Sequence, residues 1–394
     1  MGVNQRLFRQ IMPICLIALM LPLVLLPPNG SAERKAPAIK AQAAILMDAK
    51  TGDVLYGHQI HKHLAPASTT KIMTAILAIE SSRLDEKATV SSKAAGTGGS
   101  SMHLFASQNL TLHELVTGLL MRSGNDAAVA ISEHLAGSEE AFVAQMNERA
   151  RSLGAMNTHF RNPHGLSAPG HYSSAFDLAW MTRHALLQPV FSSIVATRET
   201  TIDWLDRRGK EKDVHLRNTN KLLWMLEDAD GVKTGTTGEA GPCLVSSATR
   251  GNQRLIAVVL HDHSRWQDSL ALLQYGFSAF DLFEYADAGQ FIATVPVEKG
   301  TAPAVDVQLA QHAALAVKPD EYSQVTVELD LPEKIKAPVY EGQKIGEVVF
   351  FIGDKGAKTV DIVASKSVTE ATLTGSFFDG LLNLFRLGER WGLL

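Results

Sequence analysis

Residues 72–79 are the stretch that most constrains the fold, because they are apolar with only small residues between the large ones. Such a run predicts a helix that is buried on all sides. Ser68 and Lys71 stand immediately before it, and the i, i+3 spacing brings their side chains to one helix face. A lysine at the start of a buried helix is costly unless it is paired or its pKa is lowered. An amine of lowered pKa beside a hydroxyl activates a serine without a histidine.

The first 32 residues have the layout of a secretory signal. Arg6 and Arg9 precede an uncharged apolar run over residues 11–26, and small residues follow up to Ala32. We predict a signal peptide that is cleaved after Ala32. An uncleaved anchor helix is the alternative. Both interpretations carry the rest of the chain across a membrane.

Composition indicates a globular protein of two domains. The chain has 394 residues, of which 45% are hydrophobic and 20% charged. Without residues 1–32 it keeps 35 basic and 41 acidic residues, a net charge of −6, which gives no indication of nucleic-acid binding. Cys15 lies in the signal, so Cys243 is the one cysteine of the mature chain and no internal disulfide is expected.

The pattern up to residue 286 predicts an α+β domain. We expect two strands at 42–48 and 53–58, then helices from the capping box at Thr111 through Leu120, onward through Leu135, and over 138–153. A loop punctuated by Gly and Pro covers 155–173, and Ser174 caps another helix. Strands at 232–236, 243–248 and 255–260, expected to be antiparallel, precede a helix at 267–277.

Two further segments follow. Residues 291–368 show short alternating strands, and Gly353-Asp-Lys-Gly356 is typical of a hairpin turn, so we predict a small all-β sandwich over 287–370. Within residues 375–394, the stretch 376–394 forms an amphipathic helical pattern. We expect a helix lying on a membrane surface, with docking on the protein's own surface as the alternative.

Three short motifs stand in order along the first domain: Ser68-x-x-Lys71, Ser123-x-Asn125 and Lys233-Thr234-Gly235. Each motif is common alone. Together, with the first opening a buried helix, the second at a helix break and the third on a strand, they are highly specific.

This set resembles the signature of penicillin-binding proteins and serine β-lactamases. The fuller pattern, with Gly165-Leu166 and Gly231-Val232, is similar to low-molecular-mass penicillin-binding proteins that are serine-type D-alanyl-D-alanine carboxypeptidases of peptidase S11 type. The resemblance implies a penicillin-binding transpeptidase-like catalytic domain over residues 33–286. The added β domain and amphipathic tail also match that family, so the resemblance covers nearly the whole mature chain.

The resemblance assigns roles to the motif residues. Ser68 would attack the carbonyl of the penultimate D-Ala, Lys71 would take the hydroxyl proton, and Ser123 would relay a proton to the leaving amine. Asn125 would hold Lys71 and the substrate amide. Lys233 makes the site electropositive, which suits a substrate that ends in a free carboxylate.

The Lys233 strand would also bind the substrate backbone. The hydroxyls of Thr234 and Thr236 can bind the carboxylate, and Gly235 lets the substrate lie against the strand edge. By family analogy the N–H groups of Ser68 and Thr236 form the oxyanion hole. Arg265 aligns with a family arginine that helps to hold the terminal carboxylate, the alternative being a surface arginine.

Other polar clusters point to no second chemistry. The sets His58, His61, His63 and His261, Asp262, His263 lack zinc-site spacing, so we predict neither a metal nor a cofactor. His164 is expected either to line the cleft or to brace its loop. Cys243 is expected to be a small core residue.

The rivals of a carboxypeptidase are a D,D-endopeptidase, a class A-like β-lactamase and a non-catalytic penicillin-binding sensor; a scaffold that only binds peptidoglycan would not need all three motifs. Residues 155–177 contain no Glu, so a trapped penicilloyl group should leave slowly, unlike in a class A enzyme. We therefore predict a penicillin-inhibited D-alanyl-D-alanine carboxypeptidase that trims peptidoglycan pentapeptide stems and limits cross-linking. Its expected place is the outer face of the bacterial cytoplasmic membrane.

Overall fold

The structure, a computed structural model, describes residues 35–206 and 208–371. The predicted signal over residues 1–32 and the predicted amphipathic helix over 375–394 lie outside these ranges. The helices are α1 (Lys71–Glu80), α2 (Ser92–Ala95), α3 (Leu112–Met121), α4 (Asn125–Ala136), α5 (Glu139–Ser152), α6 (Ala175–Leu186), α7 (Pro189–Ala196), α8 (Leu222–Met225) and α9 (Arg265–Ala279).

The strands are numbered in chain order. They are β1 (Ala43–Asp48), β2 (Val54–His58), β3 (Lys87–Thr89), β4 (Asn109–Thr111), β5 (Glu199–Leu205), β6 (Glu211–Arg217), β7 (Ala229–Thr237), β8 (Gly241–Arg250), β9 (Gln253–Leu260), β10 (Asp281–Ala286), β11 (Phe291–Glu298), β12 (Ala304–Leu309), β13 (Ala313–Val317), β14 (Val325–Asp330), β15 (Ile335–Lys336), β16 (Lys344–Ile352) and β17 (Lys355–Ala364).

The first domain is built on a five-stranded antiparallel sheet in the order β2-β1-β9-β8-β7. Both faces of this sheet are covered. Along β1, Ala43, Ile45 and Met47 point into the core shared with the helices α1 to α7, whereas Ala44 and Leu46 pack with α9. Because successive strand residues face opposite sides, a strand buried on both faces is apolar throughout. The sheet ends at β7, whose outer edge adjoins the Ser68 turn.

Local capping explains the helix boundaries of this domain. The Thr111 side chain accepts a hydrogen bond from the Glu114 N–H, and the Glu114 carboxylate accepts one from the Thr111 N–H. These two bonds confirm the predicted capping box. The Ser174 side chain likewise caps α6 by accepting a hydrogen bond from the backbone N–H of Asp177. α7 and the β5–β6 hairpin were not predicted from the sequence.

The Ser68 segment differs in one respect from the expectation. Residues 67–70 form a 3₁₀ turn, and the α-helix begins only at Lys71. The hydroxyls of Thr69 and Thr70 donate to the carbonyls of Pro66 and Ala67, at 2.7 and 2.8 Å, and hold this tighter turn. Side chains at i and i+3 eclipse in a 3₁₀ turn, so Ser68 and Lys71 remain neighbours.

The second domain is all-β, as predicted. A six-stranded sheet in the order β14-β16-β17-β12-β11-β15 packs over the β10–β13 pair, and Val307, Phe350 and Ile362 lie fully buried between them. The expected boundary at residue 287 would leave β10 in the first domain, whereas β10 pairs with β13 and packs on the core of the second.

Polar contacts connect the β1–β2 turn to the second domain. The Lys358 ammonium donates to Asp53 Oδ1 and to the carbonyl of Thr51, both at 2.8 Å. The second Asp53 oxygen accepts from the Ala316 N–H at 3.2 Å. Lys50 forms an ion pair with Glu284 beside them.

Candidate active site

Lys71 lies at the centre of the site, and its ammonium nitrogen has three polar neighbours. Nζ lies 3.0 Å from Ser68 Oγ, 2.6 Å from Asn125 Oδ1 and 2.6 Å from the carbonyl oxygen of His164. The lysine is fully buried. None of the three partners carries a charge.

Burial holds the pKa of Lys71 well below its usual value, and the nearby Lys233 lowers it further, while Asp126 acts in the opposite direction. The structure therefore pairs a half-buried serine hydroxyl with an amine that loses its proton more readily than an ordinary lysine. Such a pair is the nucleophile and base arrangement of covalent catalysis.

Asn125 and Asp126 connect this pair to the loop over residues 97–108. Asn125 Nδ2 donates to the carbonyl of Gly98 at 2.6 Å, while its oxygen accepts from Lys71. The buried Asp126 carboxylate accepts from the N–H groups of Met102 and Leu104 and from the Ser101 hydroxyl. The sequence reasoning overlooked Asp126, although an Asp directly after a motif residue was a possible signal.

Ser123 lies in the break between α3 and α4. It is 5% exposed and has a left-handed φ of +62°, an unusual conformation for a residue with a side chain. Its hydroxyl makes no hydrogen bond to Ser68 or Lys71, all three of which lie in the described part of the chain. Ser123 directly precedes Gly124 and Asn125, and Asn125 contacts Lys71.

Strand β7 forms the opposite wall and carries a second buried amine. Lys233 is 1% exposed, and its Nζ donates to the carbonyl of Thr234 at 3.0 Å. Burial lowers the pKa of Lys233 to about 7, and the Arg265 charge contributes to this shift. The Thr234 hydroxyl lies 3.0 Å from that of Thr219.

Two glycines permit the close packing of the walls. A Cβ at Gly235 would lie 2.9 Å from the Ser68 nitrogen and 3.0 Å from the Cβ of Ala67. At Gly165 a Cβ would lie 1.9 Å from the Ala67 carbonyl oxygen, and the φ there is +88°. A side chain at either position would therefore displace the turn that holds the serine.

Arg265 lies at the end of this wall and is half-buried. Its Nη1 donates to the carbonyl of Gly235, the Thr236 hydroxyl and the carbonyl of Cys243, at 2.8, 2.9 and 3.2 Å. These contacts place the guanidinium beside exposed Thr236 at the end of β7. Together with Lys233 it makes this end of the cleft positive.

The long loop over residues 155–173 forms the third side. The His164 carbonyl accepts from Lys71, and burial, with smaller contributions from Lys71 and His171, lowers the pKa of the His164 imidazole to about 3. Burial lowers the pKa of His171 to about 4, so its imidazole is neutral. Its Nδ1 accepts a hydrogen bond from the backbone N–H of Arg161, and its Nε2 lies 2.8 Å from the Thr70 hydroxyl. Both histidines thus brace the loop against the Ser68 turn.

Comparison with known proteins identifies the family to which this chain belongs. The family model described as D-alanyl-D-alanine carboxypeptidase matches residues 31–264, and the model of the penicillin-binding protein 5 C-terminal domain matches residues 280–370. The chain belongs to the D-alanyl-D-alanine carboxypeptidase family.

Curated members of this family resemble the chain over most of its length. It is 38% identical to the D-alanyl-D-alanine carboxypeptidase DacF of Bacillus subtilis over 321 residues, 79% of this chain and 82% of DacF. Identity to DacC of Escherichia coli is 32% over 367 residues, 89% of this chain and 90% of DacC. The protein is therefore a serine hydrolase with carboxypeptidase activity, and the names of its relatives favour that activity over the alternatives.

Solved structures of the family share the fold. Penicillin-binding protein 5 from Haemophilus influenzae superposes with a TM-score of 0.73 at 31% identity, over 86% of this chain and all of that one. The DD-transpeptidase of Streptomyces K15 superposes with a TM-score of 0.60 at 32% identity, over 62% of this chain and 100% of that chain.

The other polar clusters of this carboxypeptidase make contacts of their own. His63 stacks on Tyr172 with ring centroids 4.2 Å apart, and His261 packs edge-on against His263. In the described residues no group of three potential metal ligands converges. Cys243 is fully buried, and burial raises the pKa of its thiol to about 11, as expected of a core residue.

Proposed function

We propose that Ser68 attacks the carbonyl of the penultimate D-Ala of a pentapeptide stem, with neutral Lys71 as the proton acceptor. The observation that carries this proposal is the distance of 3.0 Å between Nζ and Oγ, combined with the lowered pKa of the buried amine.

The hydrogen-bond geometry is compatible with a neutral lysine. An uncharged amine has two N–H donors and one lone pair. The two shorter contacts, to Asn125 Oδ1 and the His164 carbonyl, use both donors, because these partners only accept. In that state the lone pair is left for the Ser68 hydroxyl, which would donate to Nζ. This orientation is the one required for removal of the serine proton.

The positive end of the cleft would bind the substrate's terminal carboxylate. Lys233 and Arg265 supply charge there, and the hydroxyls of Thr234 and Thr236 supply donors. β7 is the last strand of its sheet, so a peptide can add to its edge as a further strand. Ser123 would pass a proton to the amine that leaves.

The backbone N–H groups of Ser68 and Thr236 would form the oxyanion hole, where one donor is worth about 2.7–4 kcal/mol of barrier. The loop that faces Lys71 carries no carboxylate of its own. Glu139 on α5 approaches His164 to 3.8 Å but is paired with Lys93 at 2.7 Å. A penicilloyl ester on Ser68 is therefore expected to hydrolyse slowly, which makes penicillin an inhibitor.

The location of the enzyme follows from its substrate and from the two terminal segments. We propose export through residues 1–32, a catalytic domain followed by a β domain that begins with β10, and attachment to the outer face of the cytoplasmic membrane through residues 376–394. The described residues include no helix with the length and apolarity needed to cross a bilayer. A chain that ends at Thr374 should lose binding to phospholipid vesicles; retained binding would contradict the attachment.

The mature chain, residues 33–394, tests the proposed chemistry with diacetyl-Lys-D-Ala-D-Ala and free D-Ala as the readout. Release should require Ser68, be absent in Ser68→Ala, and stop when penicillin forms a long-lived adduct detectable by mass spectrometry. The matched control Ser82→Ala, at an exposed serine, should be fully active. Rapid turnover of penicillin, or D-Ala release by Ser68→Ala, would contradict the proposal.

A further inference from the structure

Asp126 carries a buried carboxylate for which the proposed reaction has no use. It is fully buried, and all its hydrogen-bond partners in the described residues are uncharged. Met102 donates its N–H to both carboxylate oxygens at 3.0 Å, Leu104 and Ser101 donate to Oδ2 at 3.1 and 2.6 Å, and Ala127 donates to Oδ1 at 3.0 Å. Because burying a carboxylate is costly, its place between these donors requires an explanation.

Three of the four donors belong to the loop over residues 97–108, which borders the active site. Residues 98–100 of this loop are exposed, so burial of their side chains does not hold them in place. A Cβ at Gly99 would lie 2.6 Å from Asn125 Nδ2, which shows how closely the loop approaches the motif residue. The position of residues 98–100 therefore depends on how Asp126 holds the donors that follow them.

The loop in turn fixes the side-chain amide of Asn125. The Asn125 N–H donates to the carbonyl of Ser100 at 2.7 Å, and its Nδ2 donates to the carbonyl of Gly98 at 2.6 Å. Reversal of the amide would turn Oδ1 towards the Gly98 carbonyl, so that two acceptors would face each other. The Gly98 carbonyl therefore keeps Oδ1 directed at Lys71 Nζ, which lies 2.6 Å away.

We propose that Asp126 is a positioning residue for the acylation step. It holds the loop over residues 97–108 so that the Gly98 carbonyl keeps the Asn125 amide in the orientation that Lys71 requires. Asp126 acts through this loop and does not contact the substrate. The inference rests on the proposed function, in which neutral Lys71 accepts the serine proton while it donates to Asn125.

The charge of Asp126 has a second effect on Lys71. Three titratable side chains of the described residues act on the amine: Lys233 from β7, His164 from the loop over residues 155–173, and Asp126 from α4. Lys233 lowers the pKa of Lys71 and Asp126 raises it, whereas the pKa of His164, about 3, leaves its imidazole uncharged at neutral pH. Only the neutral amine accepts the serine proton, so loss of the Asp126 charge should move the acid side of the pH profile to lower pH.

Asp126→Asn tests both effects, because it keeps the shape of the side chain and removes its charge. An amide has one acceptor oxygen, so either orientation leaves the N–H of Ala127 or that of Leu104 without its acceptor. Ser101→Ala removes one of the hydrogen bonds between the loop and the carboxylate and keeps the charge. The matched control is Asp85→Asn, at an exposed aspartate of the same domain.

The measurement is kcat/KM for D-Ala release from diacetyl-Lys-D-Ala-D-Ala by the mature chain, residues 33–394, between about pH 4 and pH 9. In Asp126→Asn we expect it to fall about 10–100-fold, mainly through kcat, because misplaced reacting groups cost up to roughly 10²-fold in rate. The acid side of its pH profile should move to lower pH. Ser101→Ala should lower kcat/KM about threefold and leave the profile in place, since Met102 and Leu104 still donate to the carboxylate. Asp85→Asn should change neither.

A folded Asp126→Asn enzyme with kcat/KM within twofold of the wild type, or with the acid side of its profile at the wild-type pH, would overturn the inference and leave the proposed function intact. If circular dichroism shows that Asp126→Asn is unfolded, Ser101→Ala decides, and an unchanged kcat/KM in that variant overturns the inference. A wild type that releases no D-Ala and forms no penicilloyl adduct would overturn the proposed function and this inference with it.

Discussion

The two domains differ most in what they bury. The catalytic domain encloses two lysines, Asn125, Asp126 and neutral histidines, each at most 8% exposed. In the described residues of the β domain, all fully buried side chains are apolar, and no buried polar side chain lies beyond Ser269. Buried polar groups are costly, so a fold keeps them where function needs them. The comparison indicates that the first domain carries the chemistry.

The largest effect on catalysis is expected at Lys71 of the first domain. Lys71→Met removes the proposed proton acceptor while keeping a side chain of similar length, so kcat/KM for D-Ala release should fall about 10³-fold, within the range for a general base. The control Lys62→Met, at an exposed lysine, should change it less than twofold. The circular dichroism of both variants should match the wild type; a Lys71→Met enzyme with more than a tenth of wild-type kcat/KM would contradict the role.

A substitution in the core of the β domain should lower stability and leave catalysis unchanged. Phe350 is fully buried in its core, so Phe350→Ala should lower the opening free energy of β16 and β17 by about 3–5 kcal/mol. Hydrogen exchange measured by mass spectrometry reads this change. The kcat/KM for D-Ala release should stay within twofold.

Tyr340→Ala provides the matched control for that variant. Tyr340 is 63% exposed, so its truncation should change the opening free energy by less than about 0.5 kcal/mol. A large loss of activity in folded Phe350→Ala would show that the second domain takes part in the chemistry, contrary to the comparison.

A smaller effect is expected at the glycine between the strand and the serine turn. Gly235→Ala places a Cβ about 2.9 Å from the Ser68 nitrogen, so the turn must shift. Misplacement of reacting groups by about 1 Å costs roughly 10²-fold in rate. Gly238→Ala is the control, since a Cβ there meets nothing within 4 Å. Equal rates of penicillin acylation in both variants would show that the close approach is unimportant.

The sequence predicted the framework of this protein better than its details. Caps at Thr111 and Ser174 and the apolar strand β1 depend on local pattern, and the structure has them in place. The 3₁₀ turn at Ser68 depends on back-bonding by the Thr69 and Thr70 hydroxyls, which spacing alone does not reveal.

The parts of the site that the sequence did not predict come from segments that lie far from Lys71 along the chain. The His164 carbonyl and the Asp126 side chain act through tertiary contacts, on Lys71 and on the loop over residues 97–108 respectively. A backbone carbonyl leaves no pattern in the sequence, and the only signal for Asp126 was its place directly after the motif residue Asn125. The hairpin of β5 and β6 was also missed.

The central claim is that Lys71 is neutral in the resting enzyme. The most direct measurement is a pH titration of the lysine ¹³Cε signals by NMR, with Lys71→Met and Lys233→Met used for assignment. We expect the Lys71 signal to titrate well below the range of an ordinary lysine, and the Lys233 signal to titrate with a pKa of about 7. A Lys71 signal that stays that of an ammonium group up to pH 9 would contradict the account.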